Sequence, residues 1–468
     1  MVFSSTVFLF LFLPAVWILY TVIPQRFLRA KNVILSVASL LFYAYGEPVY
    51  VLIMLASVTF NYFAARLIES FPRAKKPVCA VAVCINLATL ALFKYVPWLT
   101  SLANSSFGLS LPVPALSIPV GISFYTFQIL SYVIDVFRGK TKVQHSYINL
   151  FLYISFFPQL IAGPIVKYGD IAAAIECRTV TVEKTARGVR RFIVGLSKKV
   201  LISNTVAVVA DAAFASESPS SALLWCGAIA YCLQLYFDFS GYSDMAIGLA
   251  GIFGFTLNEN FNYPYIAPSV CDFWKRWHIS LTSWFREYVY FPLGGSRCSK
   301  PRAMLNRFIV FALSGLWHGA DLTYLLWGIW HGVLMVAEQL TGFAGLAEKR
   351  AARPLTRIYT LLAVLLGFVL FRADSISAAF TYIGGMFSFT GGFADISQYL
   401  NGWTVSVFFL ALVFSTPVIP SVRDRLCRTS GTKAALSAVG YAAVIPLFAL
   451  SVGMLASSSF NPFIYYIF

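Results

Sequence analysis

The sequence predicts an all-α, polytopic integral membrane protein, and three observations lead to that class. Hydrophobic residues make up 59% of the 468 and charged residues only 12%, a balance that excludes an ordinary soluble domain. Apolar segments recur along the whole length and approach the roughly 20 residues that a helix needs to cross about 30 Å of hydrocarbon. The formal charge of +16 sits in short clusters between those segments, which is the positive-inside pattern and not a nucleic-acid surface. Alternating strands of the β-barrel kind are absent from the pattern. The expectation is about 11–13 transmembrane helices plus re-entrant or interfacial ones, in one embedded domain over residues 1–468.

The first apolar segment, VFLFLFLPAVWILYTVI, has no basic run before it and no small-residue cleavage signature after it, and reads as a retained span. Spans follow at about 32–46, 48–68, 77–97 and 118–137. Basic clusters separate them: Arg26, Arg29 and Lys31; Arg73, Lys75 and Lys76; Arg138, Lys140 and Lys142. Four more occur at Lys184 to Lys199, Lys275 to Arg307, Lys349 to Arg357 and Arg423 to Lys433. All seven are expected to face the cytosol, with both termini outside. None of the eight cysteines falls in a predicted outer loop or has zinc-ligand spacing with histidine, so neither a disulfide framework nor a metal site is expected.

The segment at 118–137 carries Gly121, Ser123, Tyr125 and Gln128, small and polar residues suited to close helix packing in lipid or to lining a passage. In INLFLYISFFPQLIAGPIVKYGD, Pro158, Gln159, Gly163 and Pro164 interrupt an apolar run between two cytosolic clusters. Broken backbone at membrane depth survives only where protein or a watery cavity satisfies it. Two readings stay open: a segment that dips in and returns as a funnel wall, or a Pro-kinked pair of helices.

Spans at about 192–212 and 222–254 come next, the second containing YFDFSGYSDMAIGLAGIFGF. Asp238, Ser240, Tyr242, Ser243 and Asp244 sit inside an otherwise apolar helix, where an unpaired carboxylate is costly. They are expected to join a polar network or bond to each other. NENFNYPYIAPS reads as a loop, and Ser269 with Asp272 as a capping box that opens a helix near Val270 and ends by Pro292 and Gly294. Trp274, Trp277, Leu281, Trp284 and Tyr288 form one stripe of that interfacial or re-entrant helix, with Lys275, Arg276, Arg286 and Glu287 off it and His278 at its edge. LNRFIVFALSGLWHGADLTYLLWGIWHGVLMVAEQL reads as two helices joined near Gly319 to Asp321, the first ending at Trp317 and His318. Further spans lie at about 357–372, 402–419 and 434–456, with an outer region between the first two.

Three of the four histidines fall between Ser269 and Gly332. Ionisable side chains in an apolar chain are functional suspects. His145 and His331 read as helix–helix hydrogen-bond formers, whereas His278 and His318 stand in richer surroundings. At this point the chain resembles the membrane-bound O-acyltransferase family, in the branch of bacterial alginate and peptidoglycan O-acetyltransferases and the teichoic-acid D-alanylation protein. The matching stretches are PVGISFYTFQ, FPQLIAGPI, FDFSGYSDMAIG, NFNYPY, DFWKRWHISLTSWFREYVYFPLGG and GLWHGADLTYLLWGIWHG, in order along nearly the whole chain. RWHISL followed by GLWHG, with the two histidines 40 residues apart, is the most specific of them.

The resemblance implies acyl transfer from a cytosolic thioester, through a tunnel, to an acceptor outside, with a catalytic region over about 258–340. His318 matches the family's central histidine and His278 its second polar position. A neutral imidazole can take a proton from an attacking hydroxyl near cellular pH, so His318 is assigned as general base and His278 as a donor or positioning group. Asp238, Ser240, Tyr242, Asp244, Arg276, Trp317 and Gln159 are the candidate tunnel or polar-network residues. No bound cofactor is expected; acetyl-CoA is the expected donor, with an acyl carrier protein as the alternative. An extracytoplasmic acyltransferase or esterase-like partner and a polysaccharide acceptor complete the expected set, in a bacterial inner membrane. The ending FIYYIF, within a tail over about 457–468, resembles a terminal motif whose tyrosine relays the acyl group. Tyr465 aligns with that tyrosine, while Tyr466 replaces a phenylalanine; an aromatic interface anchor is the other reading. A transporter or flippase of acyl or lipid-linked cargo is the competing class.

Overall fold

The computed structural model describes residues 1–427, 430–457 and 463–464. The structure is 75% helical, and no strand occurs among the described residues. The protein is an all-α, multi-pass membrane protein. Six helices are long and apolar enough to cross a bilayer: Val51–Ser70, Lys75–Lys94, Val182–Ala215, Ser221–Ile252, Arg353–Arg372 and Ser430–Ser457. A seventh arises if Gly402–Phe414 and Val418–Leu426, bent by 66°, count as one span.

The sequence reading allots more spans because it counts apolar runs without their helical length. Of the predicted spans, Phe8–Val22 and Ile122–Phe137 are apolar but have between 10 and 17 residues each. At about 1.5 Å per residue they fall short of a full hydrocarbon thickness. The stretch around Gln159 is a helix over Tyr147–Ser155, a single turn over Phe157–Leu160 and a non-helical return to Tyr168. No helix there is long enough to cross, and nearly every residue is buried in protein, as a backbone broken at membrane depth requires.

The chain packs as two compact units. The first comprises Met1–Phe192 and Ser243–Asn258, with the described Phe463 and Ile464. Its helices Val51–Ser70 and Lys75–Lys94 are joined by a reciprocal amide pair, Asn61 Nδ2 to Asn86 Oδ1 at 3.0 Å and Asn86 Nδ2 to Asn61 Oδ1 at 2.8 Å. Two polar side chains can enter an apolar span because each satisfies the other. Ile122–Phe137 packs against both helices.

The second unit comprises Ile193–Tyr242 and the described residues from Glu259 to 457. Its tightest contact joins Lys300–His318 to Leu322–Leu340. A Cβ on Gly315 would lie 2.3 Å from the Tyr324 carbonyl oxygen, and one on Gly328 would lie 2.4 Å from that of Phe311. Only glycine lets the two backbones approach so closely. The turn between them is short because Asp321 caps the second helix, accepting from Thr323 N at 2.9 Å. This hairpin fixes where His318, the last residue of its first helix, can lie.

Candidate active site

Local capping builds the first half of the site. The Ser269 side chain accepts from Asp272 N at 3.0 Å, as the sequence predicts. Glu338, buried on the hairpin's second helix, adds a second cap, accepting from Val270 N at 2.6 Å and Cys271 N at 3.0 Å. A carboxylate on free amides at a helix N-terminus is stabilised by both hydrogen bonding and the helix dipole.

The single helix expected from Val270 to Pro292 is instead broken at the histidine. Val270–Arg276 ends, Trp277 is extended, and His278 adopts φ 45° and ψ 55° before Ile279–Phe285 resumes and passes into Arg286–Tyr290. A left-handed conformation at a non-glycine residue costs about 1–2 kcal/mol, so the surroundings must hold it. Asn262 N donates to the Arg276 carbonyl at 2.9 Å, Ile279 N donates to the Asn260 carbonyl at 3.0 Å, and Thr282 Oγ1 donates to the Trp274 carbonyl at 3.0 Å. The backbone groups freed by the break are thus paired by the preceding loop and by Thr282. The aromatic stripe conceals this in the sequence, because its spacing continues past the break.

Asn260 then sets the imidazole. Its Oδ1 lies 3.3 Å from His278 Nδ1, and it also accepts from Ser280 N at 3.1 Å and Ser280 Oγ at 2.9 Å. An acceptor locked by two donors of Ser280 favours the tautomer with the proton on Nδ1, which places the imidazole lone pair on Nε2. Burial pushes the His278 imidazole well below its usual pKa, so the ring is neutral. Phe239 meets it edge-on with centroids 4.6 Å apart, and Trp317 lies 6.2 Å away on another side.

His318 is 2% exposed and His278 1%. The His318 ring is enclosed edge-on by Trp317 and Trp327, each at 5.0 Å, and by Phe371 at 5.4 Å. Trp317 therefore neighbours both histidines, and the structure brings all three together. His331 stands beyond Trp327 at 5.2 Å and Trp274 at 5.0 Å. The expectation that His331 hydrogen-bonds between helices is not met: neither ring nitrogen has a hydrogen-bond partner among the described residues. Its ring fills space beside Gly367.

The other candidates lie elsewhere. Asp238 forms a buried ion pair with Lys199 at 2.6 Å, both at most 2% exposed. Asp244 pairs with Arg191 at 2.9 Å in the first unit. Their partners thus come from the run Lys184 to Lys199, which lies within the helix Val182–Ala215. Ser240 and Tyr242 are buried on the same helix as Asp238. Arg276 is tied along its own helix to Asp272 at 2.6 Å and donates to the Asn262 carbonyl at 3.3 Å, a bracing position. Gln159 is buried in the first unit and donates to the Tyr153 carbonyl. Tyr465 and Tyr466 lie outside the described residues. Asn260 and Glu338 escaped the sequence reading; the NFNYPY stretch held the one signal that could have pointed to Asn260.

A buried pair of imidazoles in an aromatic shell, on an all-α membrane scaffold, suits proton transfer at a site shielded from bulk water. Residues 136–371 match the model of MBOAT, the membrane-bound O-acyltransferase family. That interval holds both histidines, Asn260 and Glu338. The chain belongs to the membrane-bound O-acyltransferase family. The probable alginate O-acetylase AlgI of Pseudomonas aeruginosa is 41% identical over 420 residues, which cover 88% of this chain and 80% of that protein. The peptidoglycan O-acetyltransferase of Helicobacter pylori is 31% identical, covering 89% and 86%. The teichoic acid D-alanyltransferase of Bacillus subtilis is 31% identical over a shorter stretch, covering 53% and 65%. As a membrane-bound O-acyltransferase, the chain is an acyltransferase.

Proposed function

We propose that this enzyme moves an acetyl group from a cytosolic thioester, acetyl-CoA, through the bacterial inner membrane for O-acylation of an extracytoplasmic polysaccharide. The observation that carries this reading is the pairing of His278 and His318 around Trp317, both buried, with His278 held at a backbone break by Asn260. Extensive similarity to alginate and peptidoglycan O-acetylating enzymes supports acetyl as the group and a polysaccharide as the acceptor.

In the proposed step an acceptor hydroxyl oxygen attacks the thioester carbonyl carbon while His318 removes the hydroxyl proton. The carbon–sulfur bond breaks as the tetrahedral intermediate collapses, and the imidazolium of His318 returns its proton to the departing thiolate. His278 positions the thioester carbonyl. A membrane-shielded site limits competition from water as nucleophile. Tyr465 is the proposed first acceptor, passing the acetyl group to an extracytoplasmic acyltransferase or esterase-like partner. Partial similarity to a D-alanyltransferase supports a second reading, D-alanyl transfer from a carrier protein.

Replacing His318 by Ala and quantifying acyl groups on the cell-envelope polymer tests the function. Loss of acylation is expected, and undiminished acylation would sink the reading. Mass analysis of the adduct on the tail separates acetyl from D-alanyl and Tyr465 from Tyr466.

A further inference from the structure

Two cations lie buried side by side in the first unit. Lys31 is 4% exposed and Arg178 5%. Both face the ring of Tyr20, Lys31 Nζ at 4.4 Å and the Arg178 guanidinium at 5.7 Å from its centroid. Arg178 Nε donates to Tyr20 Oη at 3.0 Å and to the Phe253 carbonyl at 3.1 Å, and Nη1 donates to the Ala174 carbonyl at 3.1 Å. Its Nη2 is buried and has no hydrogen-bond partner among the described residues. Lys31 Nζ donates to the Gln25 side-chain carbonyl at 3.4 Å. Among the described residues, no carboxylate comes within ion-pair distance of either cation.

Two like charges taken out of water without a counter-ion repel each other and are each poorly solvated. An arrangement of this kind is retained when an anion completes it. A guanidinium edge with one unoccupied N–H nitrogen beside an ammonium presents converging donors to a tetrahedral oxyanion. The surroundings narrow the anion further. Arg26 and Arg29, both exposed, share the Lys31 cluster and raise the local potential. The helix Leu13–Val22, which carries Tyr20, turns exposed Ile18, Leu19 and Val22 outward as an apolar face. A basic pocket at the foot of a lipid-facing helix is where a phosphate headgroup sits. Gln25, exposed at the mouth, donates to the Arg178 carbonyl and accepts from Lys31, so it closes the pocket with a neutral group that can rotate away.

We propose that Lys31 and Arg178 form a binding site for a phosphate group, gated by the Gln25 side chain. A phospholipid headgroup and the phosphates of a coenzyme-A donor share the required chemistry. The site is independent of the acyl-transfer assignment, since it is read out by binding.

The test is the thermal unfolding midpoint of the purified full chain in detergent, titrated with phosphatidylglycerol, with diacylglycerol of the same chains, with inorganic phosphate and with coenzyme A. At least one phosphate-bearing probe should stabilise the wild type while diacylglycerol does not. Lys31→Gln should weaken that effect roughly tenfold, the loss of one charge-assisted contact, and Lys31→Arg should retain it. Because Lys31→Gln removes an uncompensated buried charge, its ligand-free midpoint should equal or exceed that of the wild type. Stabilisation by phosphatidylglycerol alone supports the site with lipid as its source; stabilisation by coenzyme A alone supports it with the donor as its source. No stabilisation by any phosphate probe, equal stabilisation by diacylglycerol, or an unchanged titration in Lys31→Gln would each overturn it.

Discussion

At the scale of single residues, Asn260 is the side chain on which the orientation of His278 depends, since one amide oxygen faces Nδ1 and two Ser280 donors hold that oxygen in place. Asn260→Ala should lower kcat by about tenfold or more with a smaller change in KM, because a misplaced imidazole affects the reacting geometry more than substrate capture. Steady-state kinetics on the purified variant measure that split. Asp238→Asn should be destabilising by about 3–5 kcal/mol, since it removes the carboxylate facing the buried ammonium of Lys199. Thermal unfolding reads the loss, and an apolar replacement of both partners should recover most of it. His278 and His318 were legible in the sequence because ionisable side chains are scarce in so apolar a chain. Asn260 is not, since an asparagine in a polar loop shows no periodicity, and only its place in the NFNYPY stretch marks it. The partners of Asp238 and Asp244 escape the sequence for a different reason: Lys199 and Arg191 lie in a basic run that reads as a charge cluster flanking a span, and only the folded helix places them opposite the acids.

Among the elements, the break at His278 and the hairpin ending at His318 do the positioning. The aromatic stripe predicted a helix, correctly on each side of the break, but hydrogen bonds from Asn260 and Asn262 decide where that helix stops, and such long-range pairing leaves no trace in local spacing. The capping role of Ser269 was legible because capping is local; that of Glu338, 68 residues from Val270, was not. Glu338→Ala leaves two helix N-terminal amides without their acceptor and should cost about 1–3 kcal/mol, with Gln recovering part; chemical denaturation of the variants checks the ranking. Gly315→Ala forces the hairpin apart, because its Cβ would meet a backbone carbonyl at 2.3 Å. Activity should fall even where the variant folds, since His318 is three residues away on the same helix.

For the whole molecule, the membrane class and the family were legible from composition, charge clusters and ordered motifs. The number of spans was not, because hydropathy counts apolar runs while only folding shows which of them break or stop short. The region between the Arg353–Arg372 and Gly402–Phe414 helices is fastened by Asp395, which accepts from Ser220 N and Ser220 Oγ, both at 2.8 Å. The Ser220 amide, foremost among its donors, holds the Asp395 carboxyl below its ordinary value. A depressed folded-state pKa contributes stability above the ordinary carboxyl value, about 4, and that contribution is lost as the pH falls through the folded value. The unfolding midpoints of wild type and Asp395→Asn should therefore differ at neutral pH and converge in acid.

In the proposed mechanism, His318 removes the acceptor proton as the thioester is consumed. Release of free thiol from acetyl-CoA by purified wild-type, His278→Ala and His318→Ala protein, with acceptor present, tests it most directly. Turnover is expected in the wild type, a partial loss in His278→Ala, and a fall of at least about a hundredfold in His318→Ala. Thiol release by His318→Ala at the wild-type rate would contradict it.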